Sequence, residues 1–370
     1  MARRQGHGDF KSRLRRMRRE EGAATRQRHA ARAIVAGQLG RRSERLSRAM
    51  LEREDVSQGD PRDLVREENA LGACYSRVLR YELEHVHGEV ALGDALLEPA
   101  LPWRILARDE ELEGFGLRGA VYVDTETTGL SGGAGTQVFL IGLGRFVEGG
   151  FELWQGFLRD PDEEPALLEA CAQRVAGCAG IVSFFGKSFD RHRLHERFAY
   201  RGRVSPFLEL PHLDLYWLCR RLQPHGAEDG KLRTMERLVA GVERPHDLPG
   251  SEAPAAWFAY QREQPHLLEP IFEHHRDDVL SLVTVAARLG QLCAGHAQHA
   301  AGTLLAARML HAMHDARSAE YWERALALLD ATARNELQKE HAAALRRLRR
   351  EHGHVETPAS EGGHPSEPFA

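Results

Sequence analysis

The chain has few cysteines, and no two of them are placed to act together. Cys74, Cys171, Cys178, Cys219 and Cys293 are odd in number, scattered, and without a Cys-x-x-Cys pair. That pattern argues against a disulfide framework and against structural zinc, and predicts buried thiols. Long apolar runs are also missing, so no segment is expected to span a bilayer. The Arg-rich start has no short apolar block of the kind a secretory signal needs, and the expected location is the cytoplasm. Aromatics are sparse at 7%, yet 42% of the 370 residues are hydrophobic. This is enough for a sizeable core, arranged as one large domain or two or three modest ones.

Acidic residues are scarce near the start. Residues 1–50 hold about 15 Lys and Arg against about four acidic residues, so this stretch is near +11 and the remainder near −15, within an overall charge of −4. The clusters Arg13-Leu14-Arg15-Arg16 and Arg18-Arg19, with few aromatics around them, predict a disordered arm over 1–65. A basic arm beside an acidic body suits a nucleic-acid partner, because Lys and Arg neutralise phosphates whatever the base sequence. A solvated tail has the same composition.

What is present centres on Val121-Tyr122-Val123-Asp124-Thr125-Glu126-Thr127-Thr128-Gly129. The β-branched and aromatic run predicts a strand that breaks at Gly129. Residues two apart share a face of a strand, so Asp124 and Glu126 place two carboxylates side by side at its C-terminal end. Paired carboxylates repel unless a cation lies between them, which points to a hard divalent ion on oxygen ligands, Mg²⁺ or Mn²⁺. A strand entering an ordinary polar turn has the same residues.

Along the rest of the chain, Leu71, Tyr75, Leu79, Leu83 and Val86 recur near a period of 3.6, which predicts a helical lead-in over 66–118. After Gly129, the cluster Ser131-Gly132-Gly133-Ala134-Gly135 lacks the Gly-Lys-Ser/Thr ending of a phosphate-binding loop. Apolar runs at 138–143 and 151–158 then predict a meander turning at Glu148-Gly149-Gly150. A helix is expected over 165–175 and a buried strand over 181–185. Gly186-Lys187-Ser188-Phe189-Asp190 follows and opens another helix, with Asp190 in its first turn. That position suits a third carboxylate facing a metal, and equally a dipole-stabilised Asp. Asp214, between a short strand and a helix at 216–222, could join the carboxylate cluster but better suits an N-cap. A further helix is expected over 231–239, and a loop over 242–253.

A long helix over 266–292 contains Ile271, His274, Asp278, Leu282 and Val285, spaced by three, four, four and three residues. His274 and Asp278 therefore lie one turn apart on its inward face, where a carboxylate needs a partner and a His can orient water or a proton. Asp277 points about 100° away, as a solvated charge. Beyond 294 the chain is Ala-rich and helical to about 352, a stretch that could hold one tetratricopeptide-like helix pair, and 353–370 is expected to be disordered.

Read in order, Asp-x-Glu on a strand, Asp at a strand-to-helix junction and His-x-x-x-Asp on a late helix resemble the DEDD exonuclease superfamily on the ribonuclease H-like fold, and specifically its YprB-type family. The likeness runs from about Leu101 to Leu292 and is carried by Val123 to Leu130, Gly132 to Thr136 with Phe139 to Gly142, Phe185 to Asp190, His212 to Asp214, and His274 with Asp278 to Leu282. It implies an α/β domain over 119–293, a mixed central sheet flanked by helices, with an α-helical C-terminal extension. It further implies that Asp124, Glu126, Asp190 and Asp278 hold two ions, Mg²⁺ or Mn²⁺, and that His274 positions or deprotonates the attacking water. One departure stands out: three residues separate His274 from Asp278, where relatives with a histidine base usually have four and those with three usually have tyrosine. His275 therefore stays a candidate base. The expected activity is two-metal-ion 3′ to 5′ hydrolysis of nucleic acid, DNA or RNA, with Thr127 and Lys187 as candidate strand contacts. The alternative is a catalytically weak nucleic-acid-binding protein whose helical tail recruits a protein partner.

Overall fold

The computed structural model describes residues 57–99, 102–129, 136–222, 227–245 and 247–292, together with scattered positions between 303 and 346. The arm up to residue 56, the glycine cluster, Cys293, most of the proposed helix pair and the 353–370 tail lie outside these residues. Among the described residues no helix is long and apolar enough to cross a membrane.

The chain divides into two compact units. The larger is built on a seven-stranded sheet. Its strands are β1 (Val65–Asn69), β2 (Gly72–Glu82), β5 (Ala120–Thr127), β6 (Val138–Val147), β7 (Gly150–Phe157), β8 (Gly180–Ser183) and β9 (His212–Asp214); the short hairpin β3 (Val86–His87) and β4 (Val90–Ala91) is separate. The order across the sheet is β1-β2-β7-β6-β5-β8-β9. β1, β2, β7 and β6 pair antiparallel in succession, whereas β5, β8 and β9 pair parallel, so the sheet is mixed as expected. β5 is buried almost along its length, as a central strand covered on both faces must be.

Helices flank the sheet. Among the described residues the α-helices are α1 (Trp103–Ala107), α2 (Glu164–Val175), α3 (Asp190–Tyr200), α4 (Leu215–Leu222), α5 (Leu232–Ala240), α6 (Ala253–Gln261), α7 (Leu268–Leu292) and α8 (Ser318–Ala327), of which α6 and the first turns of α7 belong to the smaller unit. On one face α2 packs over β1, β2 and β7, where a Cβ on Gly156 would meet Trp154 and Leu167. On the other, Val279, Leu282, Val283 and Ala286 of α7 share a core with Tyr122, Phe151 and Leu153. Ala307, Leu310 and Trp322 from the C-terminal helices are buried in that same core. Cys74, Cys171 and Cys219 are buried free thiols.

Two expectations are overturned. The lead-in does not open as a helix: 65–82 is the β1–β2 hairpin at the sheet's edge, with Leu71 N–H donating to the Asn69 side chain and Gly72 at φ +123°, and of the α-helices only the short α1 falls within 66–118. Residues spaced by four also fall on one face of a strand, so Tyr75, Leu79 and Leu83 satisfy both periods. The alternation of half-buried Leu79 and Tyr81 with exposed Val78, Arg80 and Glu82 is the period that β2 obeys. Nor does the arm extend to residue 65. In the smaller unit, Ser57 forms a two-way backbone bridge to His266, and Tyr260 Oη donates to Asp60 Oδ1 at 2.6 Å. The same unit holds α6, inside a stretch whose start was expected to be loop, and the first turns of α7.

The sheet tolerates α7 because β6 carries glycine beneath it. A Cβ on Gly142 would lie 2.6 Å from His275 Cε1 and 2.8 Å from Val279 Cγ2. Gly142→Ala is therefore expected to destabilise the fold by about 1–3 kcal/mol, as overpacked cores do. Urea unfolding followed by circular dichroism measures this, and an unchanged midpoint would mean that α7 can shift away at no cost.

Candidate functional site

β5 and α7 supply most of the chemistry the sequence singles out, and each runs from the larger unit into the smaller. Along the last half of β5, Asp124 and Glu126 are half-buried while Thr125 and Thr127 are buried, so the two carboxylates share a face.

In the larger unit, His275 is wholly buried. Its Nδ1 lies 3.0 Å from the Gln155 amide, its Nε2 is 3.2 Å from the Asp124 carbonyl oxygen, and the Asp124 carboxylate is 3.6 Å away. A neutral ring with its proton on Nε2 donates to that carbonyl and accepts from Gln155, which ties α7 to β5. This is a structural task, and it separates His275 from His274.

In the smaller unit, Glu126 and His274 bring ligand atoms within 4.8 Å of one another. His274 Nδ1 is 2.7 Å from Asp247 Oδ1, and both side chains are largely buried. A proton on Nδ1 places the ring's lone pair on Nε2, the atom suited to hold a metal or take a proton. Gly250 closes over these groups, since a Cβ there would come 3.0 Å from His274 Nε2 and 3.5 Å from Glu126 Oε1. Asp278 follows His274 by one helical turn.

Back in the larger unit, Asp278 Oδ1 accepts from Arg244 Nη1 at 2.7 Å, and Arg244 Nη2 donates to Glu236 Oε2 at 2.5 Å. Burial pushes the Glu236 carboxyl up to about 7 against the pull of Arg244. Sequence reasoning missed Asp247, Arg244 and Glu236. Only Glu236 left a signal: it falls among Met235, Val239 and Ala240 on the buried side of α5, where a charge requires a partner.

Asp190 lies at the first turn of α3 and is buried. Its Oδ1 accepts from the Thr125 hydroxyl at 2.5 Å, so it is held by the residue between Asp124 and Glu126 in sequence. Burial pushes its carboxyl up to about 6, helped by the charge of Asp214 and opposed by Thr125. Asp214 is a cap. Its oxygens accept from the backbone N–H groups of Phe185, Lys187 and Tyr216 at 2.7–3.1 Å. Of the candidate strand contacts, Lys187 is ion-paired with Asp109 at 2.5 Å, and Thr127 is buried with its hydroxyl on the Gly129 carbonyl.

With this geometry in hand, the known relatives become informative. Residues 121–290, the stretch from β5 through most of α7, match the RNase H superfamily. The chain carries a ribonuclease H-like domain. An uncharacterized protein of Bacillus subtilis, YprB, is 33% identical over 216 residues, which is 57% of this chain and 52% of that protein. The chain thus spans about half the length of the curated relative it matches. β1, β2 and the C-terminal helices lie outside the matched ribonuclease H-like stretch, although their residues complete its sheet and core.

The Asp190 environment yields a pH-dependent expectation. An Asp carboxyl in an unfolded chain titrates near 3.8 and this one near 6, so the folded state favours the proton. Its contribution to stability is complete below about pH 4 and is lost as the pH rises through about 6. In EDTA at pH 8, Asp190→Asn is expected to be more stable than the native chain, by at most about 3 kcal/mol, with the gain vanishing near pH 4. Urea midpoints across that range test this; a difference independent of pH would show that Asp190 is ionised throughout.

Proposed function

We propose that this protein is a metal-dependent nuclease, and specifically a 3′ to 5′ exonuclease that hydrolyses the phosphodiester bonds of nucleic acid. The observation that carries the reading is the Glu126–His274 pair, with Asp247 behind the imidazole, within a ribonuclease H-like domain. Asp124, Glu126, Asp190 and Asp278 are the proposed holders of two divalent ions, Mg²⁺ or Mn²⁺. A donor set of carboxylate oxygens without thiolates suits those hard ions. Bound there, such ions lower the pKa of a water and stabilise the leaving 3′ oxygen of an in-line displacement at phosphorus.

The chain's own groups have separate tasks in this scheme. Asp247 keeps the proton on His274 Nδ1, and Nε2 accepts the proton of the attacking water. Gly250 leaves room at that nitrogen where any side chain would intrude. The basic stretch 1–50 adds affinity for phosphates irrespective of sequence.

A second reading, a nucleic-acid-binding protein with weak catalysis, is favoured by one observation. Arg244 already supplies a positive charge to Asp278, which lessens the need for a cation there. In that reading the C-terminal helices would recruit a protein partner.

The deciding experiment follows 3′-labelled and 5′-labelled single-stranded DNA and RNA with Mg²⁺, Mn²⁺ or EDTA. Metal-dependent shortening from the 3′ end is expected. Loss of an outer-shell partner of a metal ligand typically costs about 10–100-fold, so Asp124→Asn should lower the rate by about a hundredfold or more. Folded protein that binds these strands but cuts none with either metal would overturn the enzyme and favour the second reading.

A further inference from the structure

Arg244 is buried, with 4% of its side chain exposed, and lies between two carboxylates of the larger unit. Its Nη1 donates to Asp278 Oδ1 at 2.7 Å; its Nη2 donates to Glu236 Oε2 at 2.5 Å and to Ser281 Oγ at 3.2 Å. Ser281 follows Asp278 by three residues on α7, and its hydroxyl lies 2.8 Å from His87 Nε2 on β3. The guanidinium is therefore anchored at three points on two helices, and its donors are fixed in one plane.

We propose that Arg244 is a positioning residue for Asp278: it locks the carboxylate's rotamer and so fixes the direction in which that carboxylate is offered to a metal. The inference rests on the nuclease reading above. Glu236 has a defined part in it. A lone arginine at 2.7 Å would cancel the charge of Asp278 and repel a cation. Above pH 7, with Glu236 ionised on its other nitrogen, the trio carries a net −1, so Asp278 still offers a cation the attraction of one carboxylate. A lysine would carry the same charge but lacks the planar fork that reaches Glu236, Ser281 and Asp278 together.

Removing Arg244 alone leaves the buried Glu236 and the half-buried Asp278 uncompensated and endangers the fold. The test therefore uses the double variant Arg244→Gln/Glu236→Gln in the full chain, which keeps the trio at −1 but removes the rigid fork. Mn²⁺ alone is titrated calorimetrically into native and variant protein, and melting is followed in EDTA. The expected result is Mn²⁺ affinity lower by about tenfold, the lower end for loss of an outer-shell partner, with a melting transition that remains cooperative in EDTA. Glu236→Gln alone, which makes the trio neutral, is expected to weaken Mn²⁺ as well. Native-like Mn²⁺ affinity in the double variant overturns the positioning role and leaves the nuclease reading standing. Native protein that takes up no Mn²⁺ overturns both.

Discussion

No water reaches the ring of His275, and both of its nitrogens have a partner inside the sheet–helix layer: Gln155 of β7 on one side, the Asp124 carbonyl of β5 on the other. Much of the larger unit's arrangement depends on that contact. It sets the distance and rotation of α7 over β5 and β6, and it requires glycine at 142, because any side chain there would occupy the space of the ring. Once α7 is pinned at His275, the helical repeat determines which way each neighbour points. Val279 and Leu282 enter the core, while His274 and Asp278 are carried one residue back and three residues on. A bulky, buried histidine bonded at both nitrogens thus acts as the registration point for residues on either side of it.

The second constraint is electrostatic. Buried carboxylates recur in this domain, and each has its own compensation. Glu164 is clamped by Arg197 and Arg201, Asp214 is saturated by three backbone N–H groups, and Glu236 shares Arg244 with Asp278. Asp190 is supported by a neutral hydroxyl, and burial raises its proton affinity as it does that of Glu236 and Asp214. A low-dielectric site that holds a carboxylate without a counter-charge is where a cation or a proton has most to gain.

The element types from β5 onward were largely legible, because strong patterns coincided with sharp breaks. β5 ends where glycine ends the β-branched run, and α7 shows one unbroken inward stripe. β2 was misread because a spacing of four fits both a helix and a strand. Pairing with β7, a partner about 75 residues away, settles which period is used. His274 and His275 were hard to separate by sequence for a similar reason. They are adjacent and chemically identical, and only their surroundings differ: one ring is enclosed by Gln155 and a carbonyl, the other faces a carboxylate and stands beside Gly250.

The sequence by itself determined the local chemistry: two acids on one strand face, an acid opening a helix, and a histidine and an acid one turn apart. Those follow from backbone periods, which act over a few residues and need no partner. Which group each of these meets was decided by the tertiary structure alone. Asp247 on His274, Arg244 on Asp278, Thr125 on Asp190 and Asp124 under His275 are separated in sequence by 27 to 151 residues. No periodicity reaches that far, and side chains so distant meet only once the core has closed around them.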